Sequence, residues 1–285
     1  MSVVITGATG KLGRLVVESL LASGVPAADI TATGRRIDRL ADLGVAVALA
    51  DFDEPTTLES AFAGADTVLL VSASEAGNRA AQHTRAIEAA QAAGVRRVVY
   101  TSAPKVSGDA WTLSPDHKAT EDVLRASGLA WTILRNNWYH ENYGPTLAQV
   151  AQTGVLLTSA GEGRVASAAR ADYAAAAAAV LTTDGHDGRT YELTGDVAWT
   201  SDEFAAAAAE VLGRAVVVQN VTTEEQKAIL TGAGLDAGTI WFVTSIDADV
   251  RAGILGDATS DLRDLSGRPT TPLLDGLRAL TPAAA

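Results

Sequence analysis

Thirteen residues at the amino end constrain this chain more than any other stretch. Val3-Val4-Ile5-Thr6 has the pattern of a buried strand and runs straight into Gly7-Ala8-Thr9-Gly10-Lys11-Leu12-Gly13, while Leu12, Leu15, Val16 and Leu20 continue at helical spacing. A buried strand, a glycine turn and a helix start follow one another. A phosphate pair needs backbone N–H groups that can approach it closely and the positive end of a helix dipole; glycine permits the approach because no Cβ stands in the way. The spacing is G-x-x-G-x-x-G, whereas the general dinucleotide fingerprint is G-x-G-x-x-G. A dinucleotide cradle and an unliganded glycine turn therefore both stand, and the surroundings favour the cradle.

Those surroundings are a regular alternation. Residues 30–33, 45–50, 67–71, 97–100 and 131–134 are short β-rich runs with helical patterns between them, the longest being Asn78 to Ala93 before Gly94. This is the βαβ rhythm of a doubly wound parallel sheet. Val68-Leu69-Leu70-Val71 is apolar without interruption, which fits burial on both faces. Further on, the sequence predicts a helix from Asp172 to Thr182, a strand from Arg189 to Leu193 and a helix capped by Thr200 or Ser201. A strand over 216–221 and a helix from near Thr223 come next. The leucines at 262, 265, 273, 274, 277 and 280 read as structural, and the last third carries no legible chemistry.

Composition removes whole classes of function. A net charge of −12 without a Lys/Arg cluster argues against binding nucleic acid, whose phosphates would be repelled. With no cysteine and four scattered histidines there is no disulfide, no thiolate nucleophile and no expected metal site. The chain begins in a core strand with no leader pattern, and the alanine-rich run 174–181 is far too short for a membrane span, so a cytoplasmic location is expected.

Positions at the carboxyl ends of the expected strands then carry the chemistry. After the second strand stand Arg35 and Arg36, where an NAD site commonly has a carboxylate for the ribose 2′-hydroxyl; a guanidinium instead grips a 2′-phosphate, favouring NADP(H). The alternative is that both arginines begin a solvated helix. Asp51 and Phe52, after the third strand, are placed for adenine. Ser72, Ala73 and Ser74 follow the fourth strand and Thr101 and Ser102 the fifth, next to the nicotinamide end, although each group is equally readable as an ordinary turn. Residues 135–143 hold three aromatics and three amides, a lining for a flat ligand or an aromatic filling between lobes.

Five stretches together resemble the NmrA-like branch of the atypical short-chain dehydrogenase/reductase family. They are Ile5 to Gly13, the segment 72–75 with Arg79, Gln82 and His83, residues 93–102, residues 132–143, and Ser167 to Ala174. The likeness runs over almost the full length. It implies an α/β fold: a Rossmann-type NADP(H) domain over 1–135 and a smaller α/β substrate lobe over 136–285, with some segments returning to the sheet. It implies NADPH held at its pyrophosphate by Gly7, Thr9, Gly10, Lys11, Leu12 and Gly13 and at its 2′-phosphate by Arg35. Ser72, Ser74, Thr101 and the segment Asn137, Trp138, Tyr139, with Asn142 nearby, would line the cleft. The implied activity is hydride transfer to a quinone or similar flat acceptor, with a dye reductase or a redox sensor that turns over little as alternatives. The expected partner is a small molecule, not a nucleic acid or a membrane; a second copy of the chain is left open.

The wider dehydrogenase family uses Tyr-x-x-x-Lys as proton donor, and here the matching positions read Leu113 and His117. No tyrosine acid stands there. His117 is either a catalytic group or part of a plain helix start with Asp116 near its cap.

Overall fold

A sheet buried on both faces needs strands whose successive side chains enter two different apolar layers. The computed structural model describes residues 2–73, 75, 77–106, 112 and 114–281, and its strands have that property. They are β1 (Val3–Ile5), β2 (Ile30–Gly34), β3 (Ala46–Leu49), β4 (Thr67–Leu70), β5 (Arg97–Ser102), β6 (Ala130–Asn136), β7 (Val155–Thr158), β8 (Arg189–Leu193) and β9 (Val217–Asn220). Seven pair in parallel in the order β3-β2-β1-β4-β5-β6-β8, while β7 and β9 form a separate parallel pair.

The helices are α1 (Lys11–Ala22), α2 (Pro55–Phe62), α3 (Arg79–Ala92), α4 (Ser114–Ala126), α5 (Gly144–Thr153), α6 (Arg170–Thr182), α7 (Ser201–Leu212), α8 (Thr223–Gly232), α9 (Ala237–Arg251), α10 (Asp261–Ser266) and α11 (Leu273–Leu280). Val3, Ile5, Leu69, Val99 and Leu134 face the layer formed by α1, α6 and Leu262 of α10. Val4, Val68, Leu70, Val98, Tyr100 and Ile133 face the opposite layer of α2, α3 and α4. This is the doubly wound Rossmann-type architecture.

The run 45–50 gives only the short β3, whose Val47 and Leu49 are exposed because it is the outer strand of the sheet. Between β2 and β3 lies a 3-10 helix, Ile37–Leu43, with Arg36 at its start.

A second core gathers Leu147 and Val150 of α5, Phe204 and Ala208 of α7, Ile246 and Val250 of α9, Trp199 and Leu277. Thr200 caps α7: its Oγ1 accepts from Glu203 N–H, and Glu203 accepts from Thr200 N–H at 2.7 Å. After leaving β6 to build this core, the chain returns with α6 against α1 and with β8 at the sheet edge.

The glycine turn is fixed by geometry. Gly7 has φ +60°, a left-handed conformation that suits glycine. A Cβ on Gly13 would stand 2.6 Å from the carbonyl oxygen of Gly7 and 2.8 Å from its carbon, so the first turn of α1 rests on the loop with no room for a methyl group. Gly13→Ala is expected to destabilise the protein by about 1–3 kcal/mol, the scale of overpacking a tight contact. Denaturant unfolding reads this directly, and an unchanged midpoint would show that the seat of α1 yields freely.

Candidate active site

Where strand order reverses, between β1 and β4, the sheet opens a crevice at its carboxyl end. It is a cleft of about 920 Å³. Gly7, Thr9, Gly10, Lys11, Leu12 and Gly13 line one end, with Arg35, Asp51 and Phe52 beside them. Ser72, Ala73, Thr101, Ser102 and His117 line the middle; Asn137, Trp138, Tyr139 and Asn142 line the far end. Ser74 and Leu113 lie outside the described residues, while Arg36 starts the 3-10 helix and is not among the lining residues.

Several of these groups already have fixed partners. The hydroxyl of Thr6 accepts from Val71 N–H, and that of Thr101 from Ser72 N–H at 2.9 Å, so Thr101 holds the strand mouth in shape. Ser102 donates to Glu121 at 2.7 Å, and Glu121, fully buried, takes two hydrogen bonds from Arg135. At the outer end Arg35 pairs with Glu75 at 3.3 Å. Asp51 accepts from Asp53 N–H, and Phe52 meets the ring of His83 edge-on.

Behind the middle of the cleft sit two buried histidines. Ala73 N–H donates to Nε2 of His83, and Nδ1 of His117 lies 2.7 Å from the Tyr100 hydroxyl. Burial holds both imidazoles down to a pKa of about 3, with the positive Arg79 adding to the effect. Both are neutral near pH 7. Arg79 is anchored by donating from Nε to the carbonyl of Ala73 at 2.7 Å.

The 135–143 segment divides. Trp138 and Tyr139 face the cleft, and Tyr139 packs edge-on against Tyr173 with the guanidinium of Arg170 over its ring at 4.7 Å. Asn142 accepts from Arg170. Asn137 also lines the cleft, yet its amide donates to Leu255 C=O and accepts from Trp138 N–H, a structural use. Tyr143 instead packs on Trp199 and Phe204 in the second core, and His140 is clamped between Ser167 and Thr271.

Trp241 and Phe242 on α9 also line the cleft, exposed by 58% and 41%, and Phe242 stacks on Trp138 with centroids 6.5 Å apart. The last third, in which the sequence showed no legible chemistry, thus supplies two residues to the cleft lining. Asn136, Arg170, Arg79 and Gln82 are further lining residues that strand-end logic did not single out as site residues.

A nicotinamide dinucleotide suits this lining. Close backbone at the glycine turn, cations near it in Lys11 and Arg35, and two buried atoms without a hydrogen-bond partner, Gln82 Oε1 and Asn136 Oδ1, are the features such a ligand would use. Among the described residues no three metal-ligand side chains gather, and no helix is long and apolar enough to cross a membrane.

The model of the NAD(P)H-binding family matches residues 7–184. The chain belongs to that family. It is 41% identical over 281 residues to quinone oxidoreductase 2 of Escherichia coli, with 98% of each covered. The crystal structure of an NADPH-dependent quinone oxidoreductase from Escherichia coli complexed with NADPH superposes with TM-score 0.93, covering 98% of this chain and 99% of that one at 41% identity. Citrobacter sp. triphenylmethane reductase complexed with NADP(H) gives 0.93 at 36% identity, covering 98% and 100%. The family member thus has, over its full length, relatives whose structures hold this cofactor.

The buried histidines predict an acid sensitivity. In the unfolded chain a histidine takes up its proton near pH 6.5, but in the folded protein His83 and His117 do so only at about 3. Between those values the unfolded state binds more protons, so stability is full above pH 6.5 and is lost as pH falls. At pH 5 each such group costs about 2 kcal/mol. Urea unfolding at pH 7 and pH 5 should show a clear drop in midpoint, reduced in His83→Gln; equal midpoints would contradict the buried neutral assignment.

Proposed function

We propose that this protein is an NADPH-dependent reductase that transfers a hydride to a quinone or a similar flat electrophilic acceptor. The observation that carries the reading is one continuous cleft with a glycine turn at one end and a stacked aromatic pair, Trp138 and Phe242, lining the other. When bound, NADPH supplies the hydride and its two electrons. The full-length likeness to enzymes described as quinone oxidoreductases supports the same acceptor class.

In this reading the backbone of Gly7, Thr9, Gly10, Lys11, Leu12 and Gly13 holds the pyrophosphate, and Arg35 leaves Glu75 to grip the 2′-phosphate. Asp51 and Phe52 meet the adenine. Ser72, Ala73, Thr101 and Ser102 shape the wall nearest the nicotinamide, while Trp138, Tyr139 and Asn142 bound the acceptor together with Trp241 and Phe242. Residues 1–135 supply the cofactor half and 136–285 most of the acceptor half. A flat ring held against the nicotinamide gains rate from proximity, and the hydroquinone anion formed is a weak enough base for water to protonate.

Exposed aromatics at the mouth, Trp241 and Phe242, and the likeness to triphenylmethane reductase put a triphenylmethane dye in the same test. Mixing the protein with NADPH and a panel of quinones, dyes and simple ketones, and following loss of the reduced cofactor's absorbance, should give turnover with the first two and little with ketones. NADPH binding without turnover of any acceptor would replace the enzyme with a sensor.

Two substitutions sharpen the assignment. Arg35→Ala should weaken NADPH by roughly tenfold or more while barely affecting NADH, the scale of one charge-assisted hydrogen bond. Equal losses for both cofactors would remove Arg35 from the 2′-phosphate. Trp138→Ala should raise KM for the quinone and leave NADPH affinity unchanged, because binding energy is lost on one substrate only. A variant with no cooperative melting transition would mark Trp138 as a structural plug instead.

A further inference from the structure

Tyr100, on β5, is fully buried, and its hydroxyl lies 2.7 Å from Nδ1 of His117 on α4. A buried phenol O–H needs an acceptor. The hydroxyls of Ser72 and Thr120 also lie near this phenol, but Thr120 is engaged with His83 and the Asp116 carbonyl, and the His117 nitrogen at 2.7 Å makes the close contact. With the phenol donating, Nδ1 of the neutral imidazole is the acceptor and its one proton sits on Nε2. His117 lines the cleft, and Nε2 has no hydrogen-bond partner among the described residues.

The neighbouring histidine shows that the wall specifies tautomers. Ala73 N–H donates to Nε2 of His83, so the His83 proton sits on Nδ1, facing the Thr120 hydroxyl at 3.0 Å, which in turn donates to Asp116 C=O. His83 is closed at both nitrogens. His117 is closed at one and open at the other. The charged groups around them are Arg79 from α3, whose Nη1 stands 3.8 Å from Asp116 of α4, and the buried Glu121 one turn further along α4.

We infer that Tyr100 is a positioning residue that fixes His117 in the Nε2–H form, so that a neutral imidazole N–H donates a hydrogen bond to an oxygen of the acceptor. This rests on the acceptor-site reading of the cleft. As the acceptor ring gains a hydride and its two electrons, negative charge develops on that oxygen, and a fixed donor in a buried wall stabilises it more than mobile water does. The completing proton comes from water. His117 keeps its own proton, because refilling Nε2 through Tyr100 would leave a phenolate in a site where burial already pushes the phenol's pKa well up.

Nitrogen-15 spectra of histidine-labelled protein, with the His117 signals assigned from their loss in His117→Gln, test the tautomer without turnover. The expected result is a protonated Nε2 and a bare Nδ1 in the wild type, and mixed tautomers in Tyr100→Phe. In that variant kcat for a quinone should fall about tenfold with NADPH affinity unchanged. His117→Ala should lose about 10- to 100-fold in kcat, the worth of a hydrogen bond to a developing charge, and His117→Gln, which keeps an N–H, should recover part of it. The wild-type pH–rate profile should be flat from pH 6 to 8. A proton on Nδ1 in the wild type overturns the inference, as does an unchanged kcat in Tyr100→Phe once its tautomer is mixed. If Tyr100→Phe does not fold, the wild-type spectrum and the Gln/Ala comparison decide: equal losses for Gln and Ala count against the donor role. Turnover with the wrong tautomer defeats this role alone, whereas a wild type that binds NADPH and reduces no quinone defeats the proposed activity and this role with it.

Discussion

The seat of α1 on the Gly7 turn is the constraint from which the rest of the site follows. Because Gly13 touches the Gly7 carbonyl region directly, the helix starts immediately at the carboxyl end of β1 and its first free N–H groups point into the crevice. The same closeness recurs beside it, where a Cβ on Gly34 would stand 2.8 Å from the side chain of Thr9. The end of β2 is thereby drawn against the turn, and Arg35 follows from that position. On the outer side α6 packs against α1, so the helix that presents the turn is braced by a segment far along the chain.

The cleft uses two kinds of recognition at its two ends. Its glycine-turn end carries exposed charge, with Lys11 and the Arg35–Glu75 pair. Solvent weakens each such contact, so selectivity there depends on complementarity of charge. Toward the opposite end flat faces dominate: burial keeps the histidines of the middle neutral, Trp138 and Phe242 are apolar, and the one guanidinium named there, that of Arg170, lies over the Tyr139 ring. A small acidic protein can in this way bind a polyanionic cofactor and an apolar ring in one groove.

Local patterns revealed most of the sheet, since each core strand is short, β-branched and followed by a turn. They also placed the carboxyl-end residues in one crevice, because strand ends converge wherever parallel order reverses. What stayed hidden was long-range. Arg170, Trp241 and Phe242 reach the cleft from helices more than thirty residues beyond β6, and no local signal states which end of the sheet such a helix will cover. Tyr143 and His140 read like their neighbours in sequence, but on the 3-10 helix His140–Tyr143 the first packs into the second core and the other is held between Ser167 and Thr271. The Tyr100–His117 pair was equally invisible, being a contact between side chains of a strand and of the following helix.

The acceptor lobe is threaded through the sheet domain and is not appended to it. Between β6 and α10 the chain passes back and forth, and the crossings are stitched by backbone bonds: Asn137 to Leu193, His140 to Ala168, Gly195 to Ala166, and Ala166 to Leu255. No single peptide bond separates the halves. A protease nicking a surface loop of such a molecule would leave two fragments still interleaved and migrating as one particle until denaturant was added. Gene fragments split at the apparent boundary would need each other in order to fold, since the first lacks the edge strand β8 and the braces α6 and α10, and the second lacks the sheet they cover.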